Sequence, residues 1–119
     1  MTSKGIGINF EKLICKWLSA FRARLVPQSG AGVRKGDIET DYVLVDTKIT
    51  QRNSYMITSY IWGKIEKEAL EVGKIPALII RLGDQTEFAA ISLSTFYFLC
   101  EKLEGDAMKY DRPKPPRRI

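Results

Sequence analysis

The sequence predicts an α/β domain in which one mixed sheet of five strands is flanked by helices, in the order α-β-β-β-α-β-β-α. Two stretches, residues 8–21 and 56–72, carry apolar residues at helical spacing. Between and after them lie short runs with strand character, the most apolar being residues 75–82 (IPALIIRL). Helices that alternate with strands in this way suggest a sheet covered by helices, not a bundle or a sandwich.

The elements follow in order. In residues 8–21, Phe10, Leu13, Ile14, Trp17, Leu18 and Phe21 fall on one stripe. Residues 25–27 are a short extended piece. Residues 28–36 (QSGAGVRKG) are glycine-rich and read as a loop. Residues 37–39 and 42–49 read as a β-hairpin around a two-residue loop, Thr40 and Asp41. Residues 51–54 are polar and turn-like. The second helix, 56–72, sets Ile57, Ile61, Ile65, Ala69 and Val72 on one side, with Gly73 suited to its C-terminal cap. Residues 75–82 have the composition of a central strand covered on both faces. Gly83 and Asp84 turn into a strand over 86–91. Ser92 or Ser94 then caps a third helix that ends near Gly105. Residues 1–105 form the domain. Residues 106–119 hold three prolines, five basic residues and two acids without apolar period, and read as a basic disordered tail.

Composition narrows the chemistry. A chain of 119 residues makes one domain large enough to fold without disulfide or metal. No apolar run reaches the ~20 residues that span a bilayer, and no signal-peptide core opens the chain, so a soluble cytoplasmic protein without membrane contact is expected. Cys15 and Cys100 are far apart in apolar helical patterns and read as buried thiols; without a CxxC pair a zinc site is not indicated. The chain has no histidine, which excludes Ser-His-Asp, Cys-His and HExxH catalysis. Any hydrolysis must use carboxylates, lysine and a hard metal ion. The net charge of +5 is uneven: between Glu11 and Asp37 stand Lys12, Lys16, Arg22, Arg24, Arg34 and Lys35 with no acid among them. Such basic stretches favour a polyanion, against the plainer alternative of scattered surface lysines.

The strand YVLVDTKI carries the chemistry. Val43, Val45, Thr47 and Ile49 point to one face, and Tyr42, Leu44, Asp46 and Lys48 to the other. Alone, D-x-K describes any salt-bridged edge strand. With Thr40 and Asp41 as the hairpin loop, however, Asp37 lies opposite Leu44 and shares a face with Asp46 and Lys48. Asp37 and Asp46 are then diagonal neighbours at roughly 7–8 Å, and two carboxylates so placed can hold a hard divalent cation. Glu11 sits at the rim of the first helix's apolar stripe, as a third carboxylate or simply as a first-turn glutamate favoured by the helix dipole. In the glycine-rich loop, Ser29, Arg34 and Lys35 can donate to phosphates, although no Walker or dinucleotide-binding pattern is present. Gln51 and Arg52, and Arg22 and Arg24 of the first basic stretch, are further candidates for DNA contact. Tyr60 and Trp62 could stack on bases, but aromatics on such a helix more often pack.

The series Glu11, Ser29-Gly30, Gly36-Asp37 and Asp46-Thr47-Lys48 resembles the PD-(D/E)XK nucleases, and within them the archaeal-type and phage Holliday junction resolvases. The resemblance covers about residues 5–82. It implies a restriction-endonuclease-like fold, Mg²⁺ dependence with Mn²⁺ able to substitute, branched double-stranded DNA as substrate, and a homodimer. It further implies that Asp37 and Asp46 hold the metal with the Thr47 carbonyl, that Glu11 binds it directly or through water, and that Lys48 orients the attacking water or stabilises charge. Two departures stand out: Gly36 replaces the family's proline, and Asp46 stands where the resolvases more usually carry glutamate. Two further readings remain: another nuclease of this kind, nickase or restriction-type, and a non-catalytic DNA-binding module.

Overall fold

A computed structural model describes residues 3–27 and 36–107. The observed order is α1 (Ser3–Trp17), a 3₁₀ turn (Ser19–Phe21), β1 (Arg24–Leu25), β2 (Ile38–Glu39), β3 (Val43–Ile49), α2 (Ser59–Glu71), β4 (Ile75–Arg81), β5 (Glu87–Ala90) and α3 (Leu93–Ala107). The five strands form one sheet in the spatial order β1-β2-β3-β4-β5. All neighbours are antiparallel except β3 and β4, which run parallel and are joined through α2. This is the predicted α/β class and element order.

Each face of the sheet has its own core. Phe10 and Ile14 of α1 bury against Ile38, Val45 and Ala77. On the other face, Ala69 of α2 packs with Val26 and Leu44, and Ile65 packs with Leu78 and Ile80. Strand β3 is therefore interior: Leu44 and Val45 point to opposite sides and are both buried. Strand β4 is covered on both faces as its composition predicts, with Ala77, Leu78 and Ile80 all buried.

Local signals explain the boundaries. The Thr58 hydroxyl accepts from the Ile61 N–H at 3.1 Å and caps α2, which begins later than its apolar stripe. Gly73, at φ +68°, closes α2, and the Lys74 N–H bonds back to the Ala69 carbonyl. Between the two possible caps of α3, Ser92 is the one used: its Oγ accepts from the Thr95 N–H at 3.1 Å. Helix α1 stops at Trp17, short of the predicted residue 21, and Arg22 at φ 60° turns the chain after the 3₁₀ segment. Cys15 and Cys100 are half-buried free thiols, not fully buried ones. Helix α3 runs to Ala107, two residues past the expected domain boundary; the rest of the basic tail lies outside the described residues. No helix among the described residues is long and apolar enough to cross a membrane.

The hairpin register differs from the expected one. Glu39 pairs with Leu44 and Ile38 with Val45, so the loop is Asp41 and Tyr42, and Thr40 belongs to the strand end. The cause is Thr40: its N–H donates to the Val43 carbonyl at 2.9 Å, while its hydroxyl accepts from the Val43 N–H at 3.0 Å. A threonine that bonds both ways closes the turn one residue later than the loop composition suggests. The resulting register shift is two residues, an even number, so the paired residues Ile38 and Glu39 keep their faces.

Candidate active site

Beyond Ile38 the β2–β3 ladder is broken. The Asp37 N–H donates to the Val45 carbonyl at 2.9 Å, although Val45 already has Ile38 as its register partner. Two residues facing one make a bulge, which bends the strand and re-aims a side chain. Asp37 is the re-aimed residue. Its Oδ2 accepts from the Thr47 N–H at 2.7 Å and from the Thr47 hydroxyl at 3.0 Å. The carboxylate thus satisfies a β3 donor that the interrupted ladder would otherwise strand. Asp37 does not lie side by side with Asp46 and Lys48 on one face, as the regular hairpin predicts. It sits at the start of β2, bonded through its backbone to Val26 and Val45 and tied by its carboxylate to the buried Thr47 of the α1-facing set.

Gly36 makes this approach possible. It adopts φ +87°, and a Cβ there would lie 2.8 Å from the Leu44 side chain. Proline, held near φ −65°, cannot adopt that backbone. The departure from the nuclease pattern at this position therefore has a local structural cause.

Acidic groups gather around this point. Glu11, half-buried on α1, has its carboxyl pushed up to about 7, first by burial and then by the charge of Asp37, to which it also hydrogen-bonds; Asp46 adds a smaller repulsion and Lys48 opposes it. Asp46, on the α2 side of β3, is pushed up to about 6 by burial, then by Asp37 and Glu68, against the pull of Lys48 and Lys64. Its Oδ2 is buried and has no hydrogen-bond partner among the described residues. Asp37 and Lys48 act on both shifted acids, so Glu11, Asp37, Asp46 and Lys48 form one electrostatic unit across the end of β3.

Glu68 and Lys64 went unremarked in the sequence, although a signal was there. Glu68 falls about 20° from Ile61 on the helical wheel, inside the apolar stripe of α2. A half-exposed acid in a buried stripe points at something, and here the neighbour is Asp46.

The fit to a divalent cation rests on these groups. Among the described residues no three acidic side chains are already drawn together as a coordination set. What is present is a buried oxygen without a partner among the described residues, and two carboxyls, Glu11 and Asp46, pushed up by burial and by the nearby charge of Asp37. Both conditions are relieved by a cation, and Mg²⁺, which keeps several waters, needs only one or two carboxylates. The donors are oxygen alone, which suits a hard ion. The geometry assigns Thr47 a donor's role toward Asp37 through its N–H and hydroxyl.

The candidate DNA contacts divide by position. Gln51 and Arg52 are exposed just past the end of β3 that carries Lys48, where the Arg52 carbonyl accepts from the Gly83 N–H at 2.8 Å. Arg22 and Arg24 lie at the other end, beside the hairpin loop. Arg24 donates from Nε to buried Glu39 at 3.1 Å and pairs with Asp41 at 3.4 Å; Arg22 reaches Asp41 at 3.8 Å. Lys74 completes that cluster with Nζ 3.1 Å from Glu39. Arg24 therefore serves the fold directly, and its level on the sheet is roughly 13 Å from Lys48, counting about 3.3 Å per residue. Tyr60 is exposed, whereas Trp62 packs at the edge of the α2 core. Ser29, Arg34 and Lys35 lie outside the described residues. The chain matches no model of a known protein family and no curated protein.

Proposed function

We propose that this protein is a divalent-metal-dependent DNA endonuclease of the PD-(D/E)XK kind, with the restriction-endonuclease-like fold, acting on branched DNA as a Holliday junction resolvase does. The observation that carries the proposal is the buried, partnerless Oδ2 of Asp46, set among Asp37, Glu11 and Lys48 at a bulged sheet end. A purely structural carboxylate would be hydrogen-bonded or protonated in its pocket. This one has its carboxyl pushed up to about 6 by burial and by Asp37, and charged groups of both signs flank it.

Asp46 and Asp37 would hold a Mg²⁺ ion, with Glu11 beside them. When bound, such an ion polarises a phosphoryl oxygen, lowers the pKa of a coordinated water and stabilises the leaving oxygen. The chain's own residues do the rest. Thr47 fixes the rotamer of Asp37 through two hydrogen bonds. Lys48, exposed two residues along the strand from Asp46, can donate to a scissile phosphate and stabilise its developing charge. Glu11, whose carboxyl is pushed up to about 7, can take a proton near neutral pH. Gln51 and Arg52 offer donors to the backbone of a duplex entering at this end.

The test is cleavage of a labelled four-way junction with Mg²⁺, beside a linear duplex of the same sequence. The expected result is paired cuts in opposed strands of the junction, lost with EDTA and in Asp46→Asn, with binding retained. Cleavage that survives Asp46→Asn rejects the site. Equal nicking of linear duplex rejects the resolvase reading and leaves the nuclease reading standing.

A further inference from the structure

The segment that leads from β3 into α2 is an outward surface on a fixed backbone. From Gln51 to Tyr60 only Tyr55 and Ile57 are half-buried, and both pack against the core of Ile65, Leu78 and Ile80. The other side chains of the segment are exposed. Their backbone is pinned at its start. The Thr50 N–H donates to the Arg81 carbonyl at 3.0 Å, and the Thr50 hydroxyl accepts from the Arg52 N–H at 3.1 Å. The β4–β5 turn presses against the same loop: the Gly83 N–H donates to the Arg52 carbonyl, and a Cβ at Gly83 would run into the Gln51 carbonyl oxygen. At the far end the Thr58 cap fixes the first turn of α2. Side chains held outward on a pinned backbone lose little freedom when they meet a ligand.

This surface stands level with Lys48. Ala69 packs with Leu44, and Ile65 with Leu78 and Ile80, whose register partners are Asp46 and Lys48. One turn of α2 therefore passes about two residues of strand, since four helix residues rise about 6 Å and two strand residues about 7 Å. The next turn brings Ile61, and Tyr60 beside it, to the level of Lys48. Tyr60, Lys64 and Glu68 follow one another at four-residue spacing along one flank of the helix. That flank is the one toward Asp46, because Lys64 and Glu68 both act on its carboxyl.

Two large side chains of this surface stand almost free, Met56 at 79% and Tyr60 at 81% exposure, and neither belongs to a core among the described residues. A ring held out on a capped helical turn, beside cations placed for phosphates, is an arrangement on which nucleic-acid bases stack. Tyr42, also exposed, stands in the hairpin loop at the opposite end of β3 from Lys48. In a continuous duplex each base is stacked on its neighbours and has no free face. Where strands branch, stacking is interrupted, and a base can be taken up at little cost.

We propose that Tyr60 selects branched DNA by stacking its ring on a base left unstacked at the branch point, while Lys48 and Arg52 meet the phosphates. This rests on the nuclease reading above and adds to it the group that tells a branch from a plain duplex.

The experiment measures binding of the full chain to a four-way junction and to a linear duplex of the same sequence by fluorescence anisotropy, in EDTA so that nothing is cut. The wild type prefers the junction. Tyr60→Ala weakens junction binding by about 5- to 150-fold, the range of one base–aromatic stack, and moves duplex binding less than about twofold. Tyr60→Phe keeps the ring and binds as the wild type does. A fluorescent aminopurine at the branch point is quenched by the wild type and by Tyr60→Phe, not by Tyr60→Ala. The variants melt as the wild type does, because the ring belongs to no core. Unchanged junction affinity in Tyr60→Ala overturns the proposal, and so does an equal loss on both DNAs. A Tyr60→Phe variant as weak as Tyr60→Ala assigns the contact to the hydroxyl and overturns stacking. A wild type that binds neither DNA overturns the nuclease reading and this proposal together; a wild type that binds junctions with Tyr60 idle overturns this proposal alone.

Discussion

Replacing Asp46 by asparagine should stabilise the metal-free protein at alkaline pH while destroying its chemistry. In the folded state burial, then Asp37 and Glu68, raise this carboxyl from 3.8 to about 6. A shift of about two units corresponds to about 3 kcal/mol between the two protonation states. The folded value lies above the unfolded one. The stabilising contribution is therefore fully present below pH 3.8 and is lost as pH rises through about 6. At pH 4.5 about 1 kcal/mol has already gone, so about 2 kcal/mol remains to be lost by pH 8. Asparagine has nearly the same shape and does not ionise. Its fixed difference from aspartic acid at the partnerless Oδ2 position is the same at both pH values and cancels. The stability of Asp46→Asn relative to wild type should thus improve by about 2 kcal/mol between pH 4.5 and pH 8, or about 8 °C in melting temperature for a domain of this size. Urea denaturation in EDTA at the two pH values measures it. Mg²⁺ should then stabilise the wild type at pH 8 and leave the variant unmoved. A relative change below about 0.5 kcal/mol, or an equal response of both proteins to Mg²⁺, would refute the account of Asp46 as a charge held at the fold's expense.

Other perturbations separate the parts of the site. Gly36→Pro should destabilise the protein by at least about 1–3 kcal/mol and abolish the proposed cleavage, because φ +87° is closed to proline; chemical denaturation and the junction assay report the two losses. Asp37→Asn should lose activity and, unlike Asp46→Asn, also about 1–2 kcal/mol of stability, since the Thr47 N–H and hydroxyl, which share one Asp37 oxygen, bond more weakly to a neutral amide than to a carboxylate. Arg24→Ala should lower stability by exposing the Glu39 pair, yet leave the salt dependence of junction binding unchanged; a reduced slope of log K against log salt would return Arg24 to the DNA surface. Deleting residues 112–119, which hold four of the tail's cations, should weaken junction binding and lessen that slope by about 3 if three of them meet phosphates.

Periodicity carried most of the fold. The stripes of the first two helices, the doubly covered β4 and the order of elements all follow from patterns a dozen residues long, over which single deviations average out. What failed was shorter-ranged or longer-ranged than the pattern. The hairpin loop moved by one residue because of a single hydroxyl at Thr40, which composition cannot rank against Asp41. The α1 stripe was right in phase, but half of it is bare, since whether a stripe is covered depends on how far the facing sheet extends. Helix α3 is legible through its serine cap and its end near Gly105, but nothing local to it says that the described residues would leave Leu93, Phe96, Tyr97 and Leu103 uncovered.

The site illustrates the same division. Its members were legible from order and spacing, but their arrangement was not, because the arrangement comes from an interruption of the ladder. In a regular hairpin the Thr47 N–H would bond to a β2 carbonyl and Asp37 would stand beside Asp46. The bulge at Asp37 removes that carbonyl, and the Asp37 carboxylate takes its place at 2.7 Å. That substitution pins Asp37 against the side of β3, brings it within hydrogen-bonding reach of Glu11 on α1, and leaves Asp46 facing α2 with an oxygen that no group among the described residues satisfies. Positive φ at Gly36 is what allows the chain to enter the bulge. One glycine thus connects the backbone defect to the charge cluster. The cluster's unmet demand for a positive charge is a consequence of how β2 ends, as much as of which acids the sequence contains.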